Sequence, residues 1–266
     1  MPVLSALNFC FNGQNSSDYN IFNIYVDNGS SSNGLPFVEP FLPSKKVLNY
    51  RIRHRAVPYF QGIQYDQELA FNLNFSVEGG ANAETLRPIA RWFNVEQYTS
   101  IWFDTDPTRI FYVIPQGAPT ITHDGINAFI SITLSCDGPW SYSNYFLSDI
   151  YDFSNNNLSG SLILFNNEGD YNLCPEIWIL SIGSNNTITI TNQSDDGIQF
   201  QFTGLDDQEL IYVDNDMEYI TTSVPGIYRY DNFNGNYLNL PSFSISNLLV
   251  TGNCKIRFRY AFKTLA

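Results

Sequence analysis

Charge is scarce in this 266-residue chain: charged residues make up 15% of it, and 13 Lys and Arg stand against 26 Asp and Glu. A formal net charge of −13 repels polyanions over most of the surface, so polynucleotide binding would need a concentrated basic patch. One stretch qualifies, in which Lys45, Lys46, Arg51, Arg53 and Arg55 supply five of the thirteen cations. Long apolar runs are missing as well. None approaches the ~18 residues of a membrane-spanning helix, and no membrane insertion is expected. No basic segment precedes an apolar stretch with a cleavage site at the start, so no secretory signal is read and folding in the cytoplasm is expected. The Asn-x-Ser/Thr triplets at Asn15, Asn157, Asn185 and Asn192 are then by-products of an Asn/Ser-rich chain, not glycosylation sites.

Metal and catalytic signatures are equally sparse. The four cysteines (Cys10, Cys136, Cys174 and Cys254) form no Cys-x-x-Cys, and only His54 and His123 add imidazole, so no zinc site is expected and the thiols read as reduced and buried. Neither Gly-x-x-x-x-Gly-Lys-Ser/Thr nor Gly-x-Gly-x-x-Gly occurs, which removes the phosphate-binding loops. Gly-x-Ser-x-Gly is absent, and His54 falls on the apolar side of its alternation, as a core histidine would. The carboxylate pairs Asp206/Asp207, Asp195/Asp196 and Asp214/Asp216 sit in turn contexts, whereas glycosidase chemistry needs two carboxyls facing each other in a cleft. Asp214-Asn-Asp-Met-Glu218 lacks the Gly and the distant Glu of a calcium loop. No enzyme, metal or cofactor is expected.

What is present is aromatic content of 16% in a period-two pattern. "YNIFNIYV" puts Phe22, Ile24 and Val26 on one face. "VLNYRIRHR" puts Leu48, Tyr50, Ile52 and His54 on one side and Arg51, Arg53 and Arg55 on the other. "ELAFNLNFSV" alternates Leu69, Phe71, Leu73, Phe75 and Val77 with Ala70, Asn72, Asn74 and Ser76, and "AFISITLSC" aligns Ala128, Ile130, Ile132, Leu134 and Cys136. One helix is predicted in "NAETLRPIARWFN", with Leu86, Ile89, Ala90 and Phe93 on its apolar stripe and Asn82 or Thr85 as cap. Pro88 favours a late start. Near Cys136, "CDGPWSYSNYF" reads as a seam. Beyond it every apolar run is short and turn-punctuated, as in an antiparallel sandwich, with no helical pattern. The halves differ in charge: residues 1–140 hold 8 Lys+Arg and 12 Asp+Glu, and residues 141–266 hold 5 and 14. At the start, "FCFNGQNSSDYNIF" reads as a β-hairpin whose Asn12-Gly13 accommodates positive φ.

The ordered series "FCFNGQNSSDYNI", "YRIRHRAVPYFQG", "LAFNLNF", "IARWFN", "IWFDTDPTRIFYV", "ISITLSCDGPWSYS", "LFNNEGDYNLCPEIWI", "FQFTGLDDQELIYVDND" and "IRFRYAF" resembles the distal tail protein (Dit) family of long-tailed, siphovirus-type bacteriophages over most of the chain. The resemblance implies a mainly β fold: an N-terminal β-sandwich with one α-helix and an extended hairpin, followed by a C-terminal galectin-like or CBM-like β-sandwich. It implies domains at 1–140, which builds a ring, and 141–266, which projects from it. It further implies a structural virion protein at the distal end of the tail. Hexameric rings, singly or stacked, would join the tail tube protein to the tail-tip hub or tail-associated lysin, and DNA would pass through the channel without specific binding.

Two sets of residues are candidates for contact. Arg51, Arg53 and Arg55 are read as facing carboxylates of the next protomer rather than DNA, since a conduit that gripped phosphates would slow ejection. In "GIYRYDNFNGNYLNL", Tyr228, Tyr230, Phe233 and Tyr237 interleave with Asp231, Asn232, Asn234 and Asn236. This pattern suits pyranose stacking and hydroxyl recognition, and is the basis of an alternative, a carbohydrate-binding adhesion module for host glycans. The competing reading is that these aromatics fill the sandwich.

Overall fold

Phe71, Leu73, Phe75 and Val77 are buried along the strand Ala70–Val77, as the alternation predicts. The opposite face is not fully wet, since Asn74 and Ser76 are buried too. A computed structural model describes residues 5–27, 45–65, 69–80 and 82–265 of the chain. It is mainly β, with one α-helix and two compact units, residues 1–142 with 265–266 and residues 143–264.

In the first unit, eight strands run in the order Ser5–Ala6, Ile21–Asp27, Ala70–Val77, Ala128–Cys136, Asp106–His123, Thr99–Phe103, Phe9–Phe11 and Gln14–Asn15. The sheet bends over on itself, so that Phe9 lies 6.0 Å from Phe75 and Phe103 6.5 Å from Phe71, ring centre to ring centre. The 18-residue strand Asp106–His123 links the two layers. Its Val113 pairs with Thr99 on one side and with Cys136 on the other. The opening hairpin turns at Asn12 (φ 49°) and Gly13 (φ 73°), the two positive-φ positions of a type I′ turn.

Two details of this unit depart from the sequence pattern. In Ile21–Asp27 the register shifts between Phe22 and Tyr25, with Asn23 at φ 52°. That bulge turns Phe22 outward and puts Ile21 in the core with Ile24 and Val26. The helix is Ala83–Phe93, capped by Asn82, whose side-chain oxygen accepts the Thr85 N–H at 2.9 Å. It therefore starts five residues before Pro88, which sits inside the helix and forfeits one backbone bond. Ala90 is exposed, and the buried face is Ile89, Trp92 and Phe93.

The second unit is a sandwich of two antiparallel sheets. One carries Glu176–Ser181 at its centre, between Cys254–Tyr260 and Leu210–Asp214, with Tyr219–Thr222 on one margin and the short strands Phe146–Leu147 and Tyr151–Phe153 on the other. The other runs Ser161–Asn167, Ser244–Thr251, Asn186–Asn192 and Ile198–Leu205. Their inner faces enclose Ile163, Phe165, Ile177, Ile179, Phe200, Phe202, Ile211, Leu248, Ile256 and Phe258. The only helical turn among the described residues of this unit is the 3-10 segment Tyr230–Asn232. Cys10, Cys136 and Cys254 are buried and outside any disulfide, Cys174 is partly exposed, and burial pushes the Cys254 thiol up to about 12.

Gly252 holds the turn between Ser244–Thr251 and Cys254–Tyr260 at φ 91°, and a Cβ there would lie 2.3 Å from the Thr187 carbonyl oxygen. Gly252→Ala is expected to destabilise this unit by roughly 1–3 kcal/mol, from left-handed strain and the clash together. A denaturant titration checks it. A neutral result would mean that the turn shifts freely.

Candidate assembly surfaces

The basic stretch folds differently from its alternation. The strand Lys45–Tyr50 ends before the arginines and, among the described residues, pairs only with Tyr59–Tyr65, with a register shift between Leu48 and Asn49. Arg51, Arg53 and Arg55 lie in the connecting loop, which turns at His54 with φ 70° and closes by the Arg55 N–H donating to the Ile52 carbonyl at 3.1 Å. The strand-face prediction for the three arginines is thus corrected to a loop cluster, and His54 is exposed rather than in the core. Three guanidinium groups within five residues repel one another, and all three arginines are exposed to water. Among the described residues none of the three makes an ion pair.

The hairpin itself is amphipathic nowhere. Val47, Tyr50, Tyr59, Phe60 and Ile63 are all exposed, Tyr50 and Tyr59 each to 60%. A two-stranded ribbon on its own is marginal in water, and a concentration of exposed aromatic and branched side chains marks an interaction surface.

The second candidate set is split by the fold. Phe233 is in the core at 9% exposure, stacked 4.8 Å from Phe202 and bridged to it in the backbone. It offers no face to a sugar. Tyr230 donates its hydroxyl to the Glu218 carbonyl and accepts the Ile220 N–H at 2.9 Å, and Tyr237 donates to the same Glu218 carbonyl at 3.0 Å. Only Tyr228 presents an open ring, stacked 4.9 Å from Tyr230. The amides singled out for hydroxyl recognition are engaged as well. Asn234 and Asn236 both donate to the Gln199 carbonyl, at 2.7 and 3.0 Å, and Asn232 accepts from Arg229 at 3.2 Å. These residues tie a long loop to the strand Ile198–Leu205.

The anchor of that loop is a buried ion cluster which the sequence did not single out. Glu209 is 1% exposed and accepts Arg229 Nε at 2.8 Å and Arg229 Nη2 at 2.6 Å. It also accepts the Asp206 N–H at 2.9 Å and the Thr222 hydroxyl. Arg229, 8% exposed, reaches Asp206, Asn232 and the Gly204 carbonyl with its remaining donors. Burial acts to raise the Glu209 carboxyl, but the Arg229 and Thr222 hydrogen bonds, the Asp206 N–H and the Arg229 charge outweigh it and hold it below the usual carboxylate range. The Glu209 hydrogen bond likewise raises Arg229 above its ordinary value. A lone Arg and Glu twenty residues apart carry no sequence signal for such a pair.

The remaining acidic pairs serve turns. Asp207 accepts the Gly183 N–H at 2.6 Å, and Asp214 accepts those of Asp216 and Met217, both at 3.0 Å. Among the described residues no cluster of metal-ligating side chains forms. No described helix is long and apolar enough to cross a membrane.

Two family models match the chain: a phage tail protein N-terminal domain over residues 4–138 and a phage tail C-terminal domain over residues 140–260. The SPbeta prophage-derived uncharacterized protein YomH of Bacillus subtilis (strain 168) is 25% identical over 258 residues, 97% of each chain. Among solved structures, the SPP1 Dit (gp 19.1) protein, a paradigm of the hub adsorption apparatus in phages infecting Gram-positive hosts, aligns over 96% of this chain and 98% of its own. Its TM-score is 0.67 at 14% identity, a likeness of fold.

Proposed function

The chain belongs to this phage tail protein family and has the Dit fold, and from that premise we propose that it is a ring-forming distal tail subunit that carries out no chemistry. In this reading six copies close head to tail, in one ring or a stacked pair. Residues 1–140 build the ring and residues 141–266 form the second, outward domain. The ring joins the tail tube to the hub or lysin protein at the tip, and DNA passes through it without specific contacts. The observation that carries the reading is the hairpin of residues 45–65, whose apolar side chains are exposed along its length and whose backbone pairs with no other strand among the described residues. A head-to-tail neighbour would cover it.

The charge balance supports the same arrangement. Arg51, Arg53 and Arg55 would face carboxylates of the adjacent protomer, and the surplus that gives −13 overall would leave the channel negative and repel the DNA backbone. Purified protein is expected to sediment as a hexamer or dodecamer and to give six-fold rings in negative stain. Arg53→Glu is expected to weaken assembly, and to do so more as salt is lowered, because the Debye length grows from ~8 Å at physiological ionic strength to ~30 Å at 0.01 M. A monomer at micromolar concentration would overturn the ring. An Arg53→Glu profile identical to wild type at low salt would overturn the placement of the arginines.

A further inference from the structure

The second unit has four sheet margins, and three of them are closed. Ile198–Leu205 is covered by the loop at residues 232–236. Asn234 N–H donates to the Gln201 carbonyl at 3.1 Å, Gln201 N–H donates back to the Asn234 side chain at 3.2 Å, and Asn236 holds Gln199. Tyr219–Thr222 is only four residues long and its Ile220 N–H is taken by Tyr230. Phe146–Leu147 and Tyr151–Phe153 are two and three residues long, and the second carries Asp152 paired to Lys255 at 2.8 Å.

Ser161–Asn167 is the exception. It is seven residues long and pairs with Ser244–Thr251 in unbroken register from Ser161↔Val250 to Asn167↔Ser244. Its sequence, SLILFNN, holds no charge, no proline and no bulge, the devices by which edge strands are ordinarily kept from pairing. Among the described residues, no hydrogen bond reaches its backbone from the free side. Two of its three outward side chains are apolar, Leu162 at 51% exposure and Leu164 at 65%, the third is Asn166, and Leu158 just ahead of the strand is fully exposed. Beside it runs a groove of about 320 Å³ floored by Phe146, Tyr151, Phe165, Tyr260 and Phe262.

We propose that Ser161–Asn167 is a docking edge for an extended, basic-flanked segment of a different polypeptide, which adds as a further strand of this sheet. Main-chain ladder bonds would satisfy the free backbone groups. One set of the added side chains would enter the aromatic groove, and the alternate set would cover Leu162 and Leu164. Charge selects the occupant. Glu168 lines the groove, Asp149 follows the groove residue Ser148, and residues 141–266 carry 14 acidic against 5 basic side chains. Pairing the edge with a second copy across a two-fold axis would bring these acidic rims together, whereas lysines flanking a foreign strand would neutralise them. The proposal uses the second unit alone and stands whether or not rings form.

The test is binding of a fluorescein-labelled peptide, acetyl-Lys-Thr-Val-Thr-Val-Thr-Val-Lys-amide, to the full chain, read by anisotropy and by amide hydrogen exchange at residues 161–167. Binding is expected, with exchange at the strand slowed at least tenfold at saturation. Methylation of alternate peptide amides, replacement of the terminal lysines by glutamate, and Leu164→Lys in the protein should each weaken it at least tenfold. Leu164 is exposed, so Leu164→Lys should leave the thermal transition unchanged, and Thr203→Lys on the closed margin gives the same added charge without the loss. Three results would each overturn the proposal: no peptide binding, binding indifferent to amide methylation or to the terminal charge, or protection of residues 161–167 that grows with protein concentration in the absence of peptide. The last would assign the edge to a second copy.

Discussion

Arg229→Ala is expected to cost the second unit about 3–5 kcal/mol, the usual consequence of removing one partner of a buried ion pair. The loss arises less from the missing attraction than from what remains. Glu209, at 1% exposure, would keep the Asp206 N–H and the Thr222 hydroxyl but lose both guanidinium contacts. Asn232 and the Gly204 carbonyl would lose their donor as well, so the loop over Ile198–Leu205 should loosen with it. Arg229→Lys keeps the charge without the two-pronged geometry and should fall between. Acid gives an independent check. Because the Glu209 carboxyl lies below its ordinary value in the folded chain, its contribution is complete above the unfolded carboxylate pKa and fades as pH falls through the depressed one. In Arg229→Ala the carboxyl is buried without a counter-ion, its pKa is raised, and lowering the pH from 7 toward 5 should stabilise the variant relative to wild type. Guanidinium titrations at both pH values measure this, and a loss under about 1 kcal/mol at pH 7 would mean that the cluster is decoration.

Trp92→Ala should cost the first unit about 3–5 kcal/mol. The indole is the point at which the helix, the opening hairpin and the 3-10 turn Ser16–Tyr19 meet. It stacks parallel to Phe9 at 5.5 Å, lies 4.5 Å from Tyr19, touches Phe93 at 4.9 Å, and donates its Nε1–H to the Phe11 carbonyl at 2.9 Å. Trp92→Phe separates the terms. It keeps most of the apolar contact but strands the Phe11 carbonyl, and about 1–3 kcal/mol is expected for that alone. Equal losses in the two variants would show that packing contributes little. A loss confined to Trp92→Ala would show that the hydrogen bond contributes little. Denaturant midpoints for both decide.

Much of the fold was legible because side-chain alternation is a direct image of a two-sided layer. Phe71 to Val77 and Ala128 to Cys136 obey it, and the mainly β class followed. Alternation misleads where the backbone changes conformation without changing composition. Asn23 inserts a bulge that an Asn among aromatics does not advertise, and Phe22 leaves the face that the alternation assigns it with Ile24 and Val26. The arginine run alternates perfectly and is nevertheless a loop, because periodicity does not register the turn that His54 makes at φ 70°. The helix stripe missed Trp92, since a tryptophan beside an arginine reads as rim until its partners Phe9 and Tyr19, remote in sequence, are known. For the same reason the residues proposed for sugar contact were drawn from composition alone, whereas the hydrogen bonds that occupy Tyr230, Tyr237, Asn234 and Asn236 come from strands and turns up to 37 positions away.

The strand Asp106–His123 carries a mechanical implication. Because Val113 belongs to both layers of the first unit, the two are spliced by covalent bonds rather than held only by side-chain cohesion. Tension applied to one face is handed to the other along a continuous peptide rod, and sliding one layer past its mate requires tearing ladder bonds on both flanks of that rod at once. A subunit made this way yields as a block, as the ring we propose would require.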